Sequence, residues 1–420
     1  MMRLSIPLES GSYPSMNRAP LPFFDSIHQL TNPADDARQA LVVHVEAASN
    51  DMADDLLRSF GFLMSYNGST ATFNSYRREV ERLLQWTHYV RHASLKQLGR
   101  QDMEEFIQFC QSPPRQWIGT KQVARFKKQD GTRKPNSEWR PFVVASGKRV
   151  EEFELSRKSV QALFAVLSTY FNYLLQDGYL ETNPIALVRQ RSRFVQKHAY
   201  MAPIRRISNL QWDYILETVE QLAQQHPQEH ERSLFVIRCL FGMYLRISEL
   251  VADERSVPLM EDFQSDADGH WWLRVVGKGN KARMVTVSDD MLTAVKRYRL
   301  TRGLSPLPFA GDRAPLVPRL KGRGPVTSTR QVRYLVQFCF DQAYQRMVSE
   351  GLADDAQELK AATVHWLRHT GISEDVQIRP KEHVKEDAGH ASMATTDRYI
   401  NTEMRERHAS ARHKKLKPDF

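Results

Sequence analysis

HWLRHT, residues 365–370, sets two histidines and an arginine within six positions of a 420-residue chain that has 14 histidines in all. His365 and Arg368 are three apart, so a helix carries them on one face, where an imidazole and a guanidinium together suit a phosphate. His365 and His369 have the four-residue spacing of a helical zinc site. Trp366, however, stands where such a site places its glutamate, and no Cys or carboxylate cluster lies nearby to complete a shell, so no metal is expected. Other candidates are scattered. LRISEL sets Arg246 directly after an apolar run, GHAS sets His390 behind Gly389, Tyr399 follows nine residues later, and GKGNK carries Lys278 and Lys281 between two β-rich runs. Taken singly, each has a plainer reading: an ion-pair partner, a core tyrosine, a solvated loop.

In chain order, Arg246, Lys278, His365, Arg368, His390 and Tyr399 spell Arg, Lys, His-x-x-Arg, His, Tyr. This series resembles the tyrosine recombinase (phage integrase) family, and the resemblance covers about residues 55 to 405. It implies a mainly α fold with a small β-sheet: a helical core-binding (SAM-like) domain and a catalytic domain that close as a C-shaped clamp on double-stranded DNA. It also implies roles. Arg246 and Arg368 would neutralise the charge that builds on the non-bridging oxygens of a scissile phosphodiester, with His390 donating a further hydrogen bond. Tyr399 would attack, His365 would take or share its proton, and Lys278 would protonate the departing 5′ oxygen. Lys281 is three residues away in the same turn, but Lys278 has the matching GKG context. The product would be a 3′-phosphotyrosine and a free 5′ hydroxyl. That ester retains the energy of the broken bond, so rejoining needs no ATP. No phosphate-binding GxxxxGK[ST] loop and no carboxylate cluster for paired magnesium ions occur, and no cofactor is expected.

The chain departs from the family pattern at three places: Tyr244 where a glycine is usual two residues before the first arginine, Ala388 where leucine is common before Gly389, and Trp366 where an acid is frequent. None removes a catalytic group. The expected function is site-specific recombination in integration, excision or transposition of a mobile element, by four protomers on two DNA sites in synapsis. Two alternatives remain open: a type IB topoisomerase-like nicking and rejoining enzyme, and a DNA-binding protein that kept the fold without catalysis.

The elements that must position these residues follow from charge and periodicity. With 41% hydrophobic and 26% charged residues, the chain can bury sizeable cores and has no apolar run long enough for a bilayer. The N-terminus lacks a secretory apolar core, and Cys110, Cys239 and Cys339 lie far apart in apolar contexts, so a reduced, cytoplasmic protein is expected. The net charge of +10 is concentrated. Arg115 to Arg149 holds ten Lys/Arg against two acids, including Lys127 and Lys128, with Trp117, Phe126, Trp139 and Phe142 interleaved. Arg189 to Arg206 holds six basic residues and no acid, among them Arg189, Arg191, Arg193, Arg205 and Arg206. Both segments are candidates for phosphate contact with release of counterions.

Residues 1–54 read as an N-terminal extension of unknown role. Residues 55–188 read as the helical core-binding domain: an amphipathic stripe at Tyr76, Val80, Leu83 and Leu84, a second helix from about Gln101 that stops at Pro113, the basic insertion at 115–149, and a third helix with Val160, Leu163, Leu167, Phe171 and Leu174 on one face. Residues 189–206 form a basic interdomain linker. Residues 207–420 form the catalytic domain, with apolar helices, a β-hairpin of Trp271–Val276 and Ala282–Ser288 with lysines at its tip, an irregular Pro/Gly-rich stretch at 301–328, a helix capped by Ser328, and a basic tail.

Overall fold

Serine hydroxyls start several of the long helices. Ser49, Ser69 and Ser156 each accept the backbone N–H three residues on, at the head of α2 (Asn50–Met64), α3 (Thr70–Trp86) and α5 (Arg157–Gln176). The structure is a computed structural model that describes residues 19–31, 49–129, 132–145, 147–191, 206–277, 279–397 and 412. The chain divides into two units, Met1–Ala199 and Tyr200–Phe420.

The first unit also holds α1 (Ile27–Thr31), α4 (Arg100–Gln111) and α6 (Pro184–Arg191), with strands β1 (Ile118–Gly119), β2 (Phe126–Gln129), β3 (Thr132–Pro135) and β4 (Phe142–Val143) inside the basic insertion. β1 pairs with β4 in parallel, and β2 with β3 as a hairpin. The apolar stripes predicted on α3 and α5 are buried, except that Tyr76 is half-buried. Gly178, at φ 69°, ends α5 with the paired bonds Gly178 N to Leu175 O (3.1 Å) and Tyr179 N to Leu174 O (2.9 Å).

Helix α3 differs from the sequence reading. Its polar positions Arg77, Glu79, Glu81 and Arg82 are buried as well. Two segments cover them. Residues 19–31, read from sequence as part of an extension of unknown role, put Phe23, Phe24, Ile27 and Leu30 into the core. The backbone N–H groups of Phe23 and Phe24 donate to Glu81 at 2.6 and 3.1 Å. The basic insertion closes the other side: Arg125 pairs with Glu81, Arg133 pairs with Asp25, and Arg82 donates to the Pro141 carbonyl at 2.7 and 2.9 Å. Arg125 and Arg133 are therefore structural ion-pair partners, because a buried carboxylate needs a cation beside it.

In the second unit, α8 (Pro227–Gly242) packs against α7 (Asn209–Gln225), α9 (Asp289–Thr301) and α12 (Val364–Ile378), while α10 (Thr329–Ser349) packs on α7. The antiparallel sheet runs β5 (Phe263–Ser265), β6 (Trp271–Val276), β7 (Ala282–Thr286). β5 is a third strand that the sequence reading did not find. β7 stops two residues short of the expected end, because Ser288 accepts the Met291 N–H (3.2 Å) and caps α9. Ser328 precedes α10 without a side-chain cap bond. Short helices α11 (Ala353–Ala356), α13 (Lys381–Ala388) and α14 (Met393–Asp397) complete the order. Gly371 lets α12 lie against α8, since a Cβ there would sit 2.2 Å from the Phe241 carbonyl oxygen. All three cysteines are buried thiols, and among the described residues no helix is long and apolar enough to cross a membrane.

Candidate active site

The C-terminus of α13 organises the site. A helix end leaves carbonyls without intrahelical partners, and its dipole favours cations. Gly389, at φ 62°, closes the end with bonds from Gly389 N to Glu386 O (2.9 Å) and from His390 N to Lys385 O (3.1 Å). The next three carbonyls each take an arginine. Arg283 Nε donates to Asp387 O at 2.9 Å, Arg368 Nη2 to Ala388 O at 2.6 Å and Arg246 Nη2 to Gly389 O at 3.0 Å. These arginines come from β7, from α12 and from the turn after α8, so three distant segments converge on one helix end.

Arg368 is buried. Besides Ala388 it donates to the Tyr244 carbonyl, and its Nη2 lies 3.3 Å from His390 Nε2. A guanidinium only donates, so Nε2 accepts here and the ring proton sits on Nδ1, 3.0 Å from the hydroxyl of buried Thr396. Burial, followed by the charges of Arg368, Arg246 and Arg283, pushes the His390 pKa down to about 4. Arg246 is less covered, with 30% of its side chain exposed. Glu249 holds it, accepting its backbone N–H at 2.8 Å and its Nη1 at 3.0 Å. Burial alone would raise the Glu249 pKa, but Arg283 and Arg246 hold it below the usual carboxylate range. His365 presents an exposed edge one turn before His369, with ring centroids 4.2 Å apart. Its pKa is lowered by partial burial and then by Arg368 and Arg246, which keeps the ring neutral and able to take a proton.

Tyr244, the position where glycine was expected, has φ 50°. This left-handed backbone aims its carbonyl at Arg368, and it explains the usual glycine. Here the side chain compensates. The Tyr244 hydroxyl donates to Asp375 and accepts from Arg379 Nη1 at 2.9 Å; Arg379 Nη2 then donates to Asp387 at 2.6 Å, and Asp387 takes the Thr286 N–H of β7 at 3.0 Å. Burial, then the hydrogen bond to Asp375, raises the phenol pKa, so it stays protonated.

Four of the six residues predicted to be catalytic, Arg246, His365, Arg368 and His390, thus share one site. Lys278 and Tyr399 lie outside the described residues, as do Arg193 and Arg205. Arg189 and Arg191 are in α6. Arg206 interacts electrostatically with Glu374 of α12. Lys127 and Lys128 are exposed on β2, Lys127 3.3 Å from Glu138. Among the described residues one group, Asp266, Asp268 and His270, brings potential metal-ligand atoms within 4.8 Å of one another. All three are exposed, and Asp266 is already bonded to the Asp268 and His270 backbones and to Trp272.

No family model matches the chain. Curated relatives do. Tyrosine recombinase XerC of Chlorobaculum parvum is 25% identical over 255 residues, covering 58% of this chain and 69% of the relative. XerC of Xanthomonas axonopodis pv. citri is 24% identical over 334 residues, covering 79% and 87%. The chain is thus similar to tyrosine recombinases. Its fold is similar to that of XerH site-specific recombinase bound to palindromic difH substrate in a post-cleavage complex, with TM-score 0.56 and 16% identity over 92% of this chain and 91% of that one. In this chain, sequence reasoning missed Glu249, Arg283 and Thr396. Glu249 had a signal, three residues after Arg246 in LRISEL and so able to reach back to its N–H. Arg283 and Thr396 had none, because their partners are more than thirty residues away or hidden by burial.

Proposed function

We propose that this site-specific DNA recombinase cleaves and rejoins DNA through Tyr399, and that the arginine-capped end of α13 is its phosphate cradle. The observation that carries the reading is the convergence of Arg246, Arg368 and His390 on consecutive carbonyls and side chains of one helix terminus. Held rigid before substrate arrives, such donors stabilise developing charge without reorganising. A scissile phosphate set there takes N–H donors from Arg246 and Arg368. Its charge offsets the arginines that depress His390, and so favours a proton on Nε2, which then donates to a non-bridging oxygen.

In the cleavage step the Tyr399 oxygen–phosphorus bond forms as the phosphorus–O5′ bond breaks. The phenolic proton passes to His365, and the Lys278 ammonium supplies a proton to O5′. Rejoining is the reverse, with a 5′ hydroxyl of another strand as nucleophile. Residues 55–188 serve as the core-binding domain, 189–206 as a linker along the backbone with Arg189, Arg191, Arg193, Arg205 and Arg206 near phosphates, and 207–420 as the catalytic domain. Lys127 and Lys128, exposed beside the inward-turned arginines, are the phosphate-facing part of the insertion. Strand exchange between two duplexes requires four protomers in synapsis.

The test uses nicked duplexes tiled from DNA flanking the gene, incubated in EDTA with wild-type protein and with Tyr399→Phe, then run on a denaturing gel. A covalent protein–DNA adduct that vanishes in the variant is the expected result. Retarded DNA in a native gel without an adduct from either protein would overturn the nucleophile assignment.

A further inference from the structure

Arg283 is outside the recognised catalytic series, yet its guanidinium has every nitrogen engaged. Nη1 and Nη2 bind Glu249 at 2.7 and 2.9 Å as a parallel fork, and Nε binds the Asp387 carbonyl at 2.9 Å. Only 13% of the side chain is exposed. The pair with Glu249 touches three catalytic segments. Glu249 holds Arg246. A Cβ on Gly277, the residue before Lys278, would lie 3.3 Å from both Arg283 Nη1 and Glu249 Oε1. A Cβ on Gly389, the residue before His390, would lie 3.0 Å from Arg283 Cδ. Gly277 N also donates to Lys281 O at 2.9 Å, closing the hairpin that carries Lys278, so the root of that hairpin rests on the ion pair.

We infer that Arg283 is a positioning residue that fixes the root of the lysine hairpin to the phosphate cradle, setting the reach of the lysine to the leaving oxygen. A fork is needed for this, since an ammonium at the same place cannot bind both carboxylate oxygens and the Asp387 carbonyl in one plane. The inference rests on the reading of Lys278 as general acid.

Leaving-group chemistry separates this role from mere support. In DNA whose scissile 5′ oxygen is replaced by sulfur, the departing thiolate needs no proton, since a thiol has a pKa of about 8.5. Single-turnover cleavage of oxygen and sulfur substrates is compared for wild type, Lys278→Ala, Arg283→Met, Arg283→Lys and Arg246→Ala, with DNA binding measured in parallel. Loss of a general acid costs about 100-fold or more, so Lys278→Ala and Arg283→Met should both lose about that on oxygen and come within about fivefold of wild type on sulfur. Arg283→Lys should lose about tenfold on oxygen and recover likewise, and Arg246→Ala should stay slow on both. If Lys278→Ala recovers on sulfur and the Arg283 variants do not, or if they lose nothing on oxygen, the positioning role is overturned. If Lys278→Ala itself fails to recover, the acid assignment falls and the inference with it. Should Arg283→Met not fold, Arg283→Lys decides by the same comparison.

Discussion

Replacing Tyr244 separates what its backbone does from what its ring does. Tyr244→Phe keeps the ring and the left-handed turn and removes only the hydroxyl that joins Asp375 to Arg379. Hydrogen bonds to charged groups contribute about 1.5–3 kcal/mol each. Asp375 and Arg379 still face each other at 3.3 Å with 28% of each side chain exposed, so they re-pair and admit water. The cost is therefore about 2 kcal/mol in total, below the roughly 3–6 kcal/mol that two such bonds would sum to. For a unit of this size, that lowers the melting temperature by about 4–8 °C. Tyr244→Gly relieves about 1–2 kcal/mol of left-handed strain but removes a ring that is 1% exposed, worth about 3–5 kcal/mol, together with the hydroxyl. The ring outweighs the strain, and the glycine variant should melt about 10 °C or more below wild type despite matching the family pattern. Thermal unfolding followed by near-UV circular dichroism measures both. Because Arg368 binds the carbonyl of residue 244 and not its side chain, cleavage below the melting range should fall less than about threefold in the Phe variant. A glycine variant as stable as wild type would show that backbone conformation alone governs this position, and the argument from the buried hydroxyl would be wrong.

Other perturbations test the rest of the site. Thr396→Val removes the partner of His390 Nδ1, and cleavage should fall about tenfold with DNA binding unchanged; an equal loss in a gel-shift assay would place Thr396 in binding instead. Burial and two arginines lower the His365 pKa, so its neutral, proton-accepting form is complete above about pH 6.5 and is lost only as pH falls below that value. Single-turnover cleavage should therefore be flat near neutral pH and decline in acid, and a midpoint above pH 7, or an unchanged acid limb in His365→Gln, would contradict the assignment. Gly371→Ala forces a methyl to within 2.2 Å of the Phe241 carbonyl oxygen and should destabilise the second unit by about 1–3 kcal/mol in denaturant titrations; a stability within error of wild type would refute the close approach. If Lys127 and Lys128 each contact a phosphate, changing both to Ala should reduce the slope of log K against log salt by about 1.8, while an unchanged slope would remove them from the interface.

The amino-acid sequence by itself determined the order of the chemistry. Arg246, Lys278, His365, Arg368, His390 and Tyr399 are recognisable because residue type and local spacing are both preserved along the chain, and the long helices are legible because one apolar face repeats at helical period. The lysine hairpin was legible too, since Gly279 and Asn280 supply the positive φ its turn requires. Tertiary structure decided what each charge is for. Arg125 and Arg133 looked like the phosphate-seeking charges of a basic loop, and they neutralise Glu81 and Asp25 instead, because burial of α3 by residues 19–31 left those carboxylates without water. Tyr244 looked like a departure, and its φ shows it doing a glycine's work. Arg283 is one cation on β7. Only the meeting of β7, the turn after α8 and the end of α13 gave it a carboxylate and a carbonyl to hold. Local pattern records periodicity and residue type, but which charge meets which is a matter of distance in space, and that is set when the helices pack.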